Sequence, residues 1–210
     1  EYALIFSFYT RQESRGSCTT MNWLEDLDAA LAEARRTRRP VWLMFVREGC
    51  AGCARMETVT YRDAQVQAEL GEAFVLLRQD IRRDRIVRAR YAAVWTPSFY
   101  VLDARGMAHH VELGYLPPDD LRLVLRLGRA KELVPRGQYT EAIALLEEAL
   151  ALFPDHPMAA QVMLWWAMAR YLKSGGDSRQ FREDMIELLR RYPDSPEARR
   201  WPWSEPPPIA

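Results

Sequence analysis

The strongest constraint on this chain is a six-residue apolar run, Val41–Val46, followed four residues later by Cys50-Ala51-Gly52-Cys53. A run that short, ended by Pro40 on one side and Arg47-Glu48-Gly49 on the other, reads as a strand buried on both faces. The cysteine pair then opens the next helix. At such a position the first thiol meets unpaired backbone N–H groups and the positive end of the helix dipole, which favour its thiolate. The second lies one turn further on, within reach to resolve a mixed disulfide. Cys50 is therefore expected to be the nucleophile, the more exposed and more acidic thiol, with Cys53 as the resolving thiol. Ala51 and Gly52 are small enough to let another protein's disulfide approach. Two other readings compete. The pair could be half of a zinc site, but the remaining ligand types, Cys18, His109, His110 and His156, are scattered without ligand spacing. It could also be two cysteines with no role. Three cysteines in 210 residues do not make a disulfide framework.

The rest of the first half alternates between helix and strand. Trp23, Leu24, Leu27, Ala30, Leu31 and Ala34 recur at helical spacing behind an Asn22/Glu25 capping box, and Arg38-Arg39-Pro40 ends that helix. Met56, Val59, Val66 and Leu70 give the cysteine-bearing helix its apolar stripe, with a break near Asp63. Residues 74–77 and 98–102 read as strands, 86–93 as a short helix, and Asp103-Ala104-Arg105-Gly106 as a tight turn into a strand over 107–113. Pro118 with Asp119 and Asp120 starts a further helix, proline first and acids in the first turn. This order predicts an α/β sandwich around a small mixed sheet.

From about residue 129 the strand-like runs disappear and a repeat emerges. Phe153-Pro154-Asp155-His156-Pro157-Met158-Ala159 returns 39 residues later as Tyr192-Pro193-Asp194-Ser195-Pro196-Glu197-Ala198, and the same offset superimposes Gly137 on Gly176. A wholly helical unit of that length predicts stacked hairpins. The helix over 119–134 carries Leu121, Leu123, Val124, Leu125, Leu127, Ala130 and Leu133 around its whole circumference. Burial on both sides follows, so this helix is expected to close the first half and open the second, with a bend at Gly128.

With the cysteine pair in place, further segments align with one family. Val41–Val46 resembles the central strand of the thioredoxin superfamily, and Cys50-x-x-Cys53 its active-site motif. Val94-Trp95-Thr96-Pro97-Ser98-Phe99 resembles the segment around its cis-proline, and Gly114-Tyr115 the passage into its last helix. The resemblance covers about residues 21–127. It implies that Cys50 and Cys53 are catalytic, that Thr96-Pro97 is cis and faces them, and that Gly49, Ala51, Gly52, Trp95, Thr96 and Pro97 form the substrate-binding surface. Trp42 and Trp95 are read as packing rather than reacting. Two positions depart from the family. Its usual tryptophan before the first cysteine is Gly49, and its buried proton-relaying aspartate is Met44. Glu48 is not assigned the missing role. Gly137-x-Tyr139-x-Glu141-Ala142-Ile143, with Ala149, Leu150 and Pro154, resembles a tetratricopeptide repeat, and Trp165 falls near the tryptophan position of the following unit.

The expected organisation is thus a leader or tag at 1–20, a thioredoxin-like domain at 21–128, a tetratricopeptide-like helical region at 129–200 and a proline-rich tail at 201–210. Met21 is read as the natural start and a signal peptide is not expected, which leans the location to the cytoplasm, with a periplasmic or secreted protein as the alternative. Formal net charge is zero and lysine occurs only at Lys131 and Lys173. Acidic residues are interleaved among the arginines, so no nucleic-acid or membrane partner and no charged binding surface is expected. Neither metal nor cofactor is expected. The function expected is thiol–disulfide exchange on protein disulfides, with the helical repeats engaging a protein partner. The alternative is a scaffold or chaperone-like binding module with a non-catalytic pair.

Overall fold

The computed structural model describes residues 21–200. The leader or tag expected at 1–20, Cys18 with it, and the tail expected at 201–210 lie outside the described residues. Strand β1 (Trp23–Leu24) leads into helix α1 (Leu27–Thr37), then β2 (Val41–Val46), α2 (Ala51–Thr58), α3 (Ala64–Ala73), β3 (Val75–Asp80), α4 (Arg85–Arg90), β4 (Ser98–Leu102) and β5 (Ala108–Leu113). The strands form one sheet in the order β1-β3-β2-β4-β5. β1 and β2 run parallel to β3, while β4 is antiparallel to both β2 and β5.

Alternation along the central strands divides the core. Trp42 and Met44 face one side of the sheet, with Leu76, Phe99 and Val101, under α2, α3 and the helix that follows β5. Val41, Leu43 and Phe45 face the other, with Val75, Leu77 and Tyr100, under α1. The two-residue period of a strand produces this division without further instruction. One expectation is corrected here. The first helix starts at Leu27, capped by Asp26, whose Oδ1 accepts the Ala29 N–H at 2.7 Å. Trp23 and Leu24 are drawn instead into edge pairing with Leu76 and Leu77. The break expected near Asp63 is present, and Asp63 caps α3 through the Gln65 and Val66 N–H groups.

Helix α5 (Pro118–Leu133) joins the two halves. Leu121, Val124 and Leu125 enter the core under the sheet, while Leu123, Leu127, Ala130 and Leu133 enter a second core shared with α6 (Tyr139–Leu152) and α7 (Ala159–Lys173). Gly128 sits inside an uninterrupted helix and marks a close approach, not a break. A Cβ there would lie 2.6 Å from Val101 Cγ2 and 3.4 Å from His110 Cβ. Polar contacts reinforce the seam. The Arg126 guanidinium donates to Glu69 of α3 at 2.6 and 3.0 Å and to Glu148 of α6 at 2.9 Å.

Helices α8 (Ser178–Arg191) and α9 (Pro196–Arg200) complete the described chain. The sequence repeat is a repeat of backbone. Phe153 ends α6 at φ −133°, ψ 56°, and Tyr192 ends α8 at φ −131°, ψ 57°. The Tyr192 hydroxyl donates to the Pro154 carbonyl at 2.9 Å, tying one copy to the other.

Candidate active site

Strand β2 delivers the chain to an exposed loop, Arg47-Glu48-Gly49, and the loop to α2. Gly49 turns it at φ 71°; a Cβ there would meet nothing within 4 Å, so backbone conformation and not space calls for glycine. Cys50 is the N-cap of α2 and Cys53 lies one turn inside it. The two form a disulfide with a Cα–Cα distance of 5.2 Å. Cys50 Sγ accepts the Cys53 N–H at 3.1 Å, one of the orphan donors at a helix start. The expected difference in exposure is absent in this disulfide form, where Cys50 is 8% and Cys53 7% exposed. The asymmetry between the two sulfurs lies in that N–H, which only Cys50 receives as a cap.

The Thr96–Pro97 peptide is cis. Pro97 is buried against the motif, and a Cβ on Gly52 would stand 2.8 Å from Pro97 Cδ. Gly52 is therefore small because Pro97 packs on it, a more specific reason than access for a foreign disulfide. Thr96 is half-buried, and Ala51 is exposed beside Cys50. Trp42 packs as expected, stacked on Phe99 with ring centroids 5.2 Å apart. Trp95 does not pack. It is 61% exposed next to the cis-proline, and Val94 before it is 78% exposed. Met56 shares the core of the two cysteines, and nearby in the chain Thr60 Oγ1 donates to the Leu116 carbonyl at 2.6 Å.

Behind the disulfide the thioether of Met44 occupies the place of a carboxylate. The buried Tyr61 hydroxyl donates to Met44 Sδ at 3.3 Å, and burial holds that phenol well above its usual range. The floor of the site is therefore uncharged. A hollow of about 520 Å³ opens beside the two cysteines, and its lining includes Arg47, Glu57 and Arg78. Glu57 is paired with Arg78 of β3, whose guanidinium also lies 4.7 Å from the centre of the Trp23 ring. Sequence reasoning missed Tyr61, Glu57 and Arg78. Glu57 was within its reach, four residues after Cys53 and so on the same helical face. Glu48, the carboxylate nearer in sequence, is exposed in the loop and does not line the hollow. No group of three His, Cys, Asp or Glu side chains that could hold a metal ion occurs among the described residues.

A mixed five-stranded sheet, a disulfide at the start of the helix after its central strand and a facing cis-proline define the thioredoxin-like class. Residues 22–104 match the family model described as Thioredoxin-like, and residues 122–164 match one described as Tetratricopeptide repeat. The chain carries a thioredoxin-like domain with its C-x-x-C pair, followed by a tetratricopeptide-like helical region. It is 34% identical over 87 residues to a thiol:disulfide interchange protein DsbD of Ralstonia nicotianae, covering 40% of this chain and 14% of that protein. It is 35% identical over 74 residues to the protein of the same name from Vibrio vulnificus, covering 35% and 12%. The match thus spans only a small part of these relatives. Among solved structures, a thioredoxin from Thermus thermophilus is 25% identical with a TM-score of 0.46, covering 50% of this chain and 85% of that one.

Proposed function

We propose that this chain is a thiol–disulfide oxidoreductase that acts on protein disulfides through Cys50 and Cys53. The observation carrying this reading is Cys50 Sγ at the cap of α2, accepting a backbone N–H, with cis-Pro97 packed against the motif. In the reduced form the same N–H and the helix dipole favour a thiolate at Cys50. That thiolate attacks one sulfur of a substrate disulfide. A Cys50–substrate disulfide forms, the substrate S–S bond breaks, and the released thiolate takes a proton from solvent. Cys53, as thiolate, then attacks Cys50 Sγ. The Cys50–Cys53 disulfide forms and the second substrate thiol departs, so two electrons pass from the pair to the substrate. The steps run backwards equally well, and the direction follows from the potential of each partner. The thiol:disulfide interchange relatives support the chemistry.

Gly49, Ala51, Gly52, Trp95, Thr96 and Pro97 surround the pair as the substrate-binding surface, with the Thr96 backbone open to an extended segment. The helical region engages a protein partner. A cytoplasmic setting finds no support in the relatives, and a compartment that permits disulfides suits this activity better. No helix among the described residues is long and apolar enough to cross a membrane. Met44 favours the second reading, a binding module with a silent pair, because an uncharged floor offers the resolving thiol no buried base. The two part on single-cysteine variants. Cys50→Ser is expected to abolish disulfide reduction, and Cys53→Ser to accumulate a mixed disulfide visible on a non-reducing gel. Full turnover in either variant would refute the exchange reading.

A further inference from the structure

The neutral balance of the chain conceals a local excess of positive charge beside the disulfide. Residues 82–90 contain five arginines against one aspartate, Asp84. All five are exposed, and so is Arg47 in the loop before Cys50. Beside Arg47, Glu48 is exposed in the loop and Glu57 is paired with Arg78, while the carboxylates in and beside the arginine segment, Asp84 and Asp80, are engaged with backbone. Asp80 Oδ1 accepts the Arg82 N–H at 2.8 Å, and Asp84 Oδ2 accepts the Asp80 N–H at 2.6 Å. Among the described residues, Arg47, Arg82, Arg83, Arg85 and Arg88 have no ion-pair partner. Arg88 is fixed from below, its Nε donating to the Ala93 carbonyl at 3.2 Å. The expectation that interleaved acids leave no charged surface therefore fails at this end of the sheet, beyond the last residue of β3.

The cluster is continuous with the site. Arg47 lines the hollow of the two cysteines and also a neighbouring one of about 240 Å³, shared with Arg82, Arg88, Trp95 and Thr96. Arg82 and Arg88 line a third of about 750 Å³, together with Arg85 and Val94. Three adjoining hollows, joined by Arg47, Arg82, Arg88 and Val94, thus run from the disulfide past Thr96 to a row of arginines, with Trp95 lining the middle one. Clustered like charges repel one another until a counter-charge arrives. Guanidinium groups take carboxylates in two-pronged hydrogen bonds. An exposed tryptophan adds apolar contact for the same visitor.

We propose that this ledge receives the acidic flank of a protein substrate, an extended segment bearing Asp or Glu residues next to the cysteine that Cys50 attacks. The proposal rests on the reading of Cys50 and Cys53 as an exchanging pair. Exposed cations bordering a reactive centre act chiefly on encounter, so their effect falls on kcat/KM and weakens with salt.

The test uses the full chain, reduced, and two peptides with the same internal disulfide, one flanked by glutamates and one by lysines. At low ionic strength the glutamate peptide is expected to react about tenfold faster in kcat/KM, the lower end of electrostatic steering. The advantage should shrink severalfold in ~1 M salt, where the screening length is ~3 Å. Arg82→Glu with Arg85→Glu, both exposed positions, should abolish the preference. A cysteine-free glutamate peptide, followed by fluorescence anisotropy, reads binding without exchange. Equal rates for the two peptides and no binding would overturn the ledge while leaving the exchange reading intact. Tight, salt-sensitive binding with no reduction of either peptide would overturn the exchange reading and the substrate role of the ledge with it, leaving only an acidic-peptide binding surface. If oxidised glutathione gains the same tenfold advantage over uncharged hydroxyethyl disulfide, the ledge is a small-anion site and the protein-segment proposal falls.

Discussion

The two halves of this chain fill their cores with different side chains. On the two faces of the sheet the interior is made of Trp42, Phe45, Tyr61, Phe99, Met44 and Met56, all almost wholly buried. In the helical half it is built largely on Ala142, Ala149, Ala159, Ala160, Ala167 and Ala169 around a few leucines. Helices draw to within 8–10 Å of one another according to the residues between them. A sheet with helices on both faces leaves thicker layers, which large rings fill. The difference also separates chemistry from support. The rigid sheet holds a left-handed glycine, a helix-capping cysteine and a cis-proline together, whereas the alanine-rich helices contain no cysteine. Helix α5 belongs to both, with one face in each core.

The most damaging way to test that sharing is to cut it. A fragment of residues 21–128 loses the partners of Leu123 and Leu127, both fully buried, and the Glu148 arm of Arg126. Burial of one leucine is worth about 1.5–3 kcal/mol, and a domain holds only about 5–15 kcal/mol in all. The fragment is expected to melt at least ten degrees below the intact chain, or not to fold, taking about 4–8 °C per kcal/mol for a domain of this size. Cooperative melting at the temperature of the full chain would make the helical half an appendage and dissolve the comparison.

Gly128→Ala probes the same seam more gently. In an exposed helix this change stabilises by about 1 kcal/mol, because glycine loses more backbone freedom on folding. Here the new methyl would meet Val101 Cγ2 at 2.6 Å, inside a core with no free end to yield. The sign reverses, and a loss of about 1–3 kcal/mol is expected, as for other overpacked cores. Chemical denaturation of the variant gives the answer. A midpoint raised above that of the parent chain would mean that α5 slides away from β4 without cost.

What the sequence made legible follows from how local each cause is. Ser98–Leu102 and the start of α5 at Pro118 appear where expected, since a short apolar run and a proline before two acids carry their own reasons. Trp23 and Leu24 were misread because local helical spacing competes with a pairing to Leu76 and Leu77, some fifty residues away. β3, whose apolar run spans Phe74 to Leu77 and was expected to close on Gln79-Asp80, pairs as far as Asp80, because parallel pairing with β2 carries polar Arg78 and Gln79 along. At the site, the cysteines and Pro97 were legible as a motif. The Glu57–Arg78 pair joins a helix to a strand, and the Tyr61 contact to Met44 joins a short turn to another strand. Neither leaves a mark at fixed spacing.

The finest test of the seam is its response to acid. His110 of β5 lies at the junction, with Lys131 Nζ 3.0 Å from its Nδ1 and Glu112 Oε1 3.0 Å from its Nε2. Lys131 in turn lies 5.2 Å from the centre of the Trp165 ring of α7, so strand, shared helix and repeat meet around one imidazole. Burial holds the His110 ring below the ordinary histidine range; Glu112 opposes that shift and Lys131 adds to it. The same burial lowers Lys131. A histidine whose folded pKa is depressed binds its proton less readily than the unfolded chain does, so stability rises with pH between the two values. On acidification, stability is lost as pH falls below about 6.5, the unfolded value, down to the folded pKa. The ammonium of Lys131 needs a neutral acceptor at Nδ1, and a second positive charge 3.0 Å away removes it. His110→Asn should therefore flatten this acid limb of the denaturation midpoint below about pH 6.5, even though the variant starts less stable. If parent and variant lose stability in parallel over that range, His110 does not titrate across the seam, and the join rests on apolar packing and on arginine pairs such as Arg126 with Glu148 and Arg129 with Glu141.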